Sequence, residues 1–293
     1  MWTRLLRPAP DEDGVSDSVL TLTAIILLLR PLDVWWLAPF ALAAACLSLI
    51  VRAVRRAPLT WILIAALVAA RVIVVWPLSD NHIYLLAYWC LAIGLALTTS
   101  ASAITLAASS RWLLGAAFAM AVLWKAILSP DYVDGRFFRV TLLTDERFAD
   151  ASLVFGGLSQ DQMAENRKFL EPLPEGAELL NPPPFVEPPR LRAFATVATW
   201  GGLMLETAIA LLCLIPASRV TEVARHLALV LFCATTYALA PVAGFGWLIA
   251  TMGLAQCRPG QRLLRMAYIT VFVLIVLYAE IPWTGVLADL TLR

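Results

Sequence analysis

The sequence predicts an all-α protein, a polytopic membrane bundle of about nine spans, with seven as the lower count. Composition is the first reason. Of the 293 residues, 61% are hydrophobic and 15% are charged, where soluble domains carry roughly 25% charge. The second reason is a series of apolar runs close to the roughly 20 residues that a bilayer core demands. The third is arginine, which collects in alternate connections. With a net charge of +1, no nucleic-acid partner is expected, and membrane lipid is the natural surrounding.

Taken in order, the first apolar run is 15–30, short and ended by Pro31. Acidic residues precede it and no small-residue cleavage site follows a short core, so a retained helix is expected rather than a signal peptide. Runs of full length occupy 34–51, 58–78, 82–100, 111–128, 192–216, 222–240 and 264–282. Between the last two lies 243–257, which Pro241 and Gly244 open. It and 15–30 are the two spans short enough to be tilted or re-entrant.

Nine spans with a cytoplasmic N-terminus place Arg4, Arg7, Arg52, Arg55, Arg56, Arg111, Arg219, Arg225, Arg258, Arg262 and Arg265 inside. The opposite short turns, 31–33, 79–81 and 241–242, hold no lysine or arginine. That asymmetry follows the rule for short loops and fits a multi-pass membrane protein. The segment 129–190 then falls outside. Two short helices are expected in it, at "TDERFADASLVF" and "SQDQMAENRKFLE", the second through a capping box of Ser159 and Gln162. A proline-rich tail up to Arg190 is expected to run extended over the outer face. Residues 1–293 form one transmembrane domain, with 129–190 an extracytoplasmic loop that offers a docking place for a peptide or protein partner.

Cys46, Cys90, Cys213, Cys233 and Cys257 form no CxxC pair, and His82 and His226 are the only histidines. Inert thiols and no metal site are the expectation. Ionisable groups inside a membrane are costly and therefore candidates for function. Lys125 lies near the outer end of 111–128, where it either acts as a base or snorkels its ammonium to the interface. Lysine, unlike arginine, can be deprotonated when desolvated. His82, beside Asp80 and Asn81, either caps a helix or joins that chemistry at the same depth. Arg71 and Glu206 lie deeper, and a buried Arg71–Glu206 pair is expected beneath the cavity. His226, beside Arg225, suits an interfacial place, and the tryptophans near span ends suit aromatic belts.

The stretches "PLDVWWLAPFALAAACLSLIVRAVRR", "SDNHIYLLAYW", "LWKAILSPDYVDG" and "TWGGLMLETAIALL" resemble, in this order, the membrane domain of the vitamin K-dependent γ-carboxylases and their bacterial relatives, the horizontally transferred transmembrane (HTTM) family. The resemblance implies that Lys125 is the base that deprotonates a reduced quinone of the vitamin K hydroquinone type. Oxygen chemistry then gives an epoxide and an alkoxide strong enough to remove a glutamate γ-proton. It further implies that His82 assists and that Glu206 is a site carboxylate. Asn81, Tyr84, Trp200, Gly201 and Gly202 become binding residues, along with Arg71. The spacing from Lys125 to Gly135 carries a small insertion, and a later family histidine is replaced in "LFCATTYALAPVAGFGW". The β-rich peptide-holding part of the carboxylases has no counterpart in these residues. Quinol- or lipid-linked base chemistry at an outward cavity is therefore one expectation, and a non-catalytic scaffold or subunit binding a partner is the alternative. A transporter is the weaker third, since no paired inverted halves stand out.

Overall fold

The computed structural model describes residues 14–168, 170–172, 175–176, 185–239 and 243–280. All regular structure among them is helical. The helices that build the bundle are α1 (Gly14–Leu29), α2 (Ala38–Ile50), α3 (Pro58–Val74), α4 (Asn81–Leu97) and α5 (Ser102–Leu123), which runs on as a π-helical turn, Trp124–Leu128. Then come α6 (Arg136–Thr144) and α7 (Gln160–Lys168) in the polar segment. The bundle resumes with α8 (Pro189–Leu214), α9 (Arg219–Leu239), α10 (Ala243–Ala255) and α11 (Arg262–Glu280). Three helices are long and apolar enough to cross a membrane: Ser102–Leu128, Pro189–Leu214 and Arg219–Leu239. Shorter apolar helices cover Asp17–Leu29, Ala38–Ile50, Pro58–Val74, Asn81–Leu97 and Gly244–Ala255. The chain is a membrane protein.

Several runs expected at full length are shorter as helices, and local chemistry sets the ends. Residues 34–37 form a turn in which the Leu37 and Ala38 amides both donate to the Val34 carbonyl, so α2 starts at Ala38 with Pro39 in its first turn, where a missing N–H costs nothing. The run 58–78 stops being helical at Val74, ahead of Pro77. α4 ends at Leu97 because the hydroxyls of Thr98 and Thr99 donate back to the carbonyls of Leu95 and Ala96, at 2.7 Å each.

The bundle is organised around α10. It packs on α1, α4, α5, α9 and α11, and Trp247, Leu248, Ile249, Ala250, Met252 and Leu254 are all buried. A helix that is apolar all round belongs in an interior. Glycines set its distances: a Cβ on Gly246 would come 2.7 Å from the Tyr237 ring of α9, and Gly253 lies as tightly against Tyr268 of α11. On the other side α3 and α4 form an antiparallel pair, while α5 pairs with α8.

α8 has 26 residues and is therefore about 39 Å long, against about 30 Å of hydrocarbon. Its first turns project beyond the bundle and hold a second core, in which Leu191 and Ala195 meet Leu142, Leu143, Leu153, Leu158 and Met163. The expected capping box is present: the Ser159 amide donates to Gln162 Oε1 at 3.0 Å, and the Gln162 amide donates to Ser159 Oγ at 3.2 Å. At the first expected helix, Asp145 accepts from the Arg147 amide, but the helical stretch breaks into short turns. α6 was not expected at all. Residues 177–184 of the proline-rich tail lie outside the described residues. Its last part is tied down by Asn166, whose amide exchanges two hydrogen bonds with the Val186 backbone at 3.0 and 2.8 Å.

Candidate active site

Helix α5 cannot pass Pro130, because the residue before a proline avoids helical backbone, and Ser129 is accordingly non-helical. The last turn before it is π-helical and carries Lys125. Such turns recur at functional sites because they re-aim side chains. Lys125 Nζ donates to Glu206 Oε1 of α8 at 2.5 Å and lies 5.0 Å from the centre of the Tyr132 ring. The register that joins them is set lower down, where Gly115 abuts Cys213 and Leu214. From that contact, ten residues along α5 and eight back along α8 rise about 15 and about 12 Å, which brings Lys125 and Glu206 level.

The Lys125 side chain is 26% exposed and that of Glu206 is 10% exposed. Glu206 Oε2 is buried and has no hydrogen-bond partner among the described residues. An ammonium has three donors, and Glu206 takes one. Trp124, Ile127 and Leu128 of the same turn, and Trp200 of α8, are exposed apolar side chains, a surface suited to lipid. Tyr132 is buried beneath the lysine, and its hydroxyl lies 3.5 Å from where a Cβ on Gly202 would be. Gly201 faces open space. Tyr237 of α9 is within electrostatic reach of Glu206 and lines a cavity of about 260 Å³ between α9 and α11, with Cys233, Ala238, Leu274 and Tyr278 among its walls. Neither Lys125 nor His82 lines that cavity.

The expected Arg71–Glu206 pair does not form. Arg71 instead makes a two-pronged bond to Asp33, at 2.7 and 2.8 Å, and donates to Ser79. Asp33 is held below the usual carboxylate range by those bonds. The reason is architectural: α3 packs on α2 and α4, and α8 packs on α5 and α9, so equal depth does not bring the two residues to the same seam. Around Arg71 lie Asp80 and Tyr84, and Tyr84 meets the Trp76 ring edge-on at 6.4 Å. His82 belongs to this second group, with Asp80, Arg30 and Arg71 in electrostatic reach. Its ring is so close to Gly244 of α10 that a Cβ there would approach to 2.7 Å. Asn81 is exposed at the start of α4. Among the described residues no hydrogen bond joins His82 to Lys125.

The sequence candidates therefore divide into two groups. Lys125, Glu206 and Gly202 share one, and Arg71, His82 and Tyr84 share the other. Tyr132 and Tyr237 were not singled out from the sequence. Tyr132 had a signal, since it is the aromatic residue of the "DYVDG" stretch, and Tyr237 had none beyond its place in an apolar run. Four of the five cysteines are buried and all are free. No family model, no curated protein and no solved structure matches this chain.

Proposed function

We propose that the chain is a nine-span bundle of the HTTM type, with 129–190 outside the cell, that removes a proton from a lipid-soluble hydroxyl compound of the reduced-quinone class. What carries this is the Lys125–Glu206 pair, joined at 2.5 Å, with one buried carboxylate oxygen unbonded among the described residues and an apolar surface around the lysine. A reduced quinone would bring an acidic hydroxyl and, once deprotonated, reactivity toward oxygen. Glu206 takes a proton from Nζ across the short bond, which leaves a neutral amine and a neutral acid. The amine then accepts the substrate proton, and the ammonium faces the negative charge left on the substrate oxygen. Tyr132 supports the ammonium through its ring face. Access is sideways from lipid, past Trp124 and Trp200. His82 enters through the resemblance alone, because its ring packs on α10.

The test is consumption of vitamin K hydroquinone under oxygen by the full chain in lipid nanodiscs. Lys125→Arg keeps a cation for Glu206 but cannot release a proton. It is expected to keep its melting temperature and lose turnover by about a hundredfold or more. Glu206→Gln is expected to lose turnover as well. Turnover retained in Lys125→Arg overturns the assignment of the base. The closed ion pair also favours a second reading, in which the pair only locks α5 to α8 in a scaffold. In that case no variant of the pair changes any turnover, and Lys125→Met with Glu206→Met restores the stability that each single change removes.

A further inference from the structure

At the opposite end of the bundle, three side chains carry buried nitrogen atoms that no described residue satisfies. Arg225 and His226 of α9 are 5% and 2% exposed. Nε and Nη1 of Arg225, Nε of Arg111 and Nε2 of His226 are all buried without a hydrogen-bond partner among the described residues. Arg111, on α5, and Arg225 lie within electrostatic reach of one another. Glu222, the acid within electrostatic reach of Arg225 and His226 among the described residues, is occupied elsewhere: one oxygen accepts from Arg258, and the other accepts from Gln261 at 3.0 Å. His226 Nδ1 is bonded to the Tyr268 hydroxyl at 2.8 Å. With the tyrosine donating, Nε2 carries the hydrogen and becomes a further donor.

Burying one unpaired cation is costly, and two adjacent ones repel as well. Buried donors in native proteins almost always have acceptors. An anion with several acceptor oxygens would satisfy these donors, and guanidinium forks match phosphate oxygens in geometry. The place suits a membrane surface, because α8 ends at Leu214 and α9 begins at Arg219 after a short turn. We infer that Arg111, Arg225 and His226 form a binding site for a phosphate group, supplied by an anionic phospholipid of the adjoining leaflet or by a soluble phosphate.

The experiment is thermal unfolding of the full chain in uncharged detergent, with phosphatidylglycerol, phosphatidylcholine or inorganic phosphate added. Wild type is expected to be stabilised by phosphatidylglycerol beyond phosphatidylcholine. Stabilisation by phosphatidylglycerol alone assigns a lipid headgroup, and an equal effect of inorganic phosphate assigns a soluble ligand. Arg225→Gln should weaken the anion about tenfold or more, as loss of charged hydrogen bonds does. Arg111 is only half-buried, so Arg111→Gln carries the same test should Arg225→Gln fail to fold. Exposed Arg262 on the same end is the control, and Arg262→Gln should bind as wild type does. Equal effects of both lipids with none of phosphate, or an unchanged response in Arg111→Gln, would overturn the site.

Discussion

At the scale of single residues, chemistry was legible where partners were not. Lys125, Arg71, Glu206 and His82 were found because charge inside an apolar run is costly, and each has an electrostatic neighbour in the structure. Which neighbour depends on the direction a side chain takes around its helix and on which helices touch. Depth along a span supplies neither. Arg71 shows the consequence: it shares depth with Glu206 yet holds Asp33, in the turn before α2. A double-mutant cycle distinguishes the two pairings. Arg71→Met and Asp33→Asn should show a coupling of about 1–2 kcal/mol, in the range of hydrogen bonds between charged groups. The partly exposed Asp33, at 61%, keeps that at the low end. Arg71→Met and Glu206→Gln should be additive in the same unfolding measurement. Coupling between that second pair would mean that α3 and α8 share a seam after all.

Among elements, the sequence showed best where a local rule acts alone. The Ser159–Gln162 box needs only four consecutive residues, and it formed as expected. α6 was passed over although Phe138 and Leu142 stand one turn apart, because a polar stretch following a span resembles a loop until α8 is known to rise into it. What fastens this segment to α8 is Glu187, which accepts two bonds from Arg139 at 2.6 Å each and one from Arg192 at 3.1 Å. The Arg139 bonds, above all, hold the Glu187 carboxyl below the usual range. A carboxylate lowered on folding stabilises fully above its unfolded value of about 4.3 and loses that contribution as pH falls through its folded value. Protease cleavage of 136–168 should therefore rise below about pH 4, with the bundle still folded. Glu187→Gln should be cleaved faster at neutral pH and lose most of the further change on acidification. Asp145, lowered chiefly by its bond from Arg147, titrates in the same region but within its own turn, so the Glu187 variant separates the two. Cleavage independent of pH in the wild type would show that Glu187 does not hold the segment.

For the whole molecule, an apolar run cannot say whether its surroundings are lipid or protein, and α10 is where that matters. Its 13 residues reach about 20 Å, short of the roughly 30 Å of hydrocarbon. As a lipid-facing span it would be too short, but it is enclosed by α1, α4, α5, α9 and α11 and need not match the bilayer. Its start lies against His82, at the beginning of α4. Its end lies against Ser110, where the serine hydroxyl donates to the Met252 carbonyl at 2.5 Å and Gln256 donates to the serine at 3.1 Å. Ser110 and Lys125 are fifteen residues apart on α5, about 22 Å of rise, so α10 runs through most of the bundle. Single cysteines at two exposed positions turn this into a measurement, in a background with all five native cysteines replaced. Glu175 precedes α8, and Gly260 follows α10, with nothing within 4 Å of an added Cβ. Three crossings, α8, α9 and α10, separate them if α10 spans, and two if it turns back. A membrane-impermeant maleimide on intact cells should label Glu175→Cys and spare Gly260→Cys until the membrane is opened. Labelling of both from outside would make α10 re-entrant, remove the ninth span and put the arginine-rich connection Arg258–Arg265 on the same side as the polar segment.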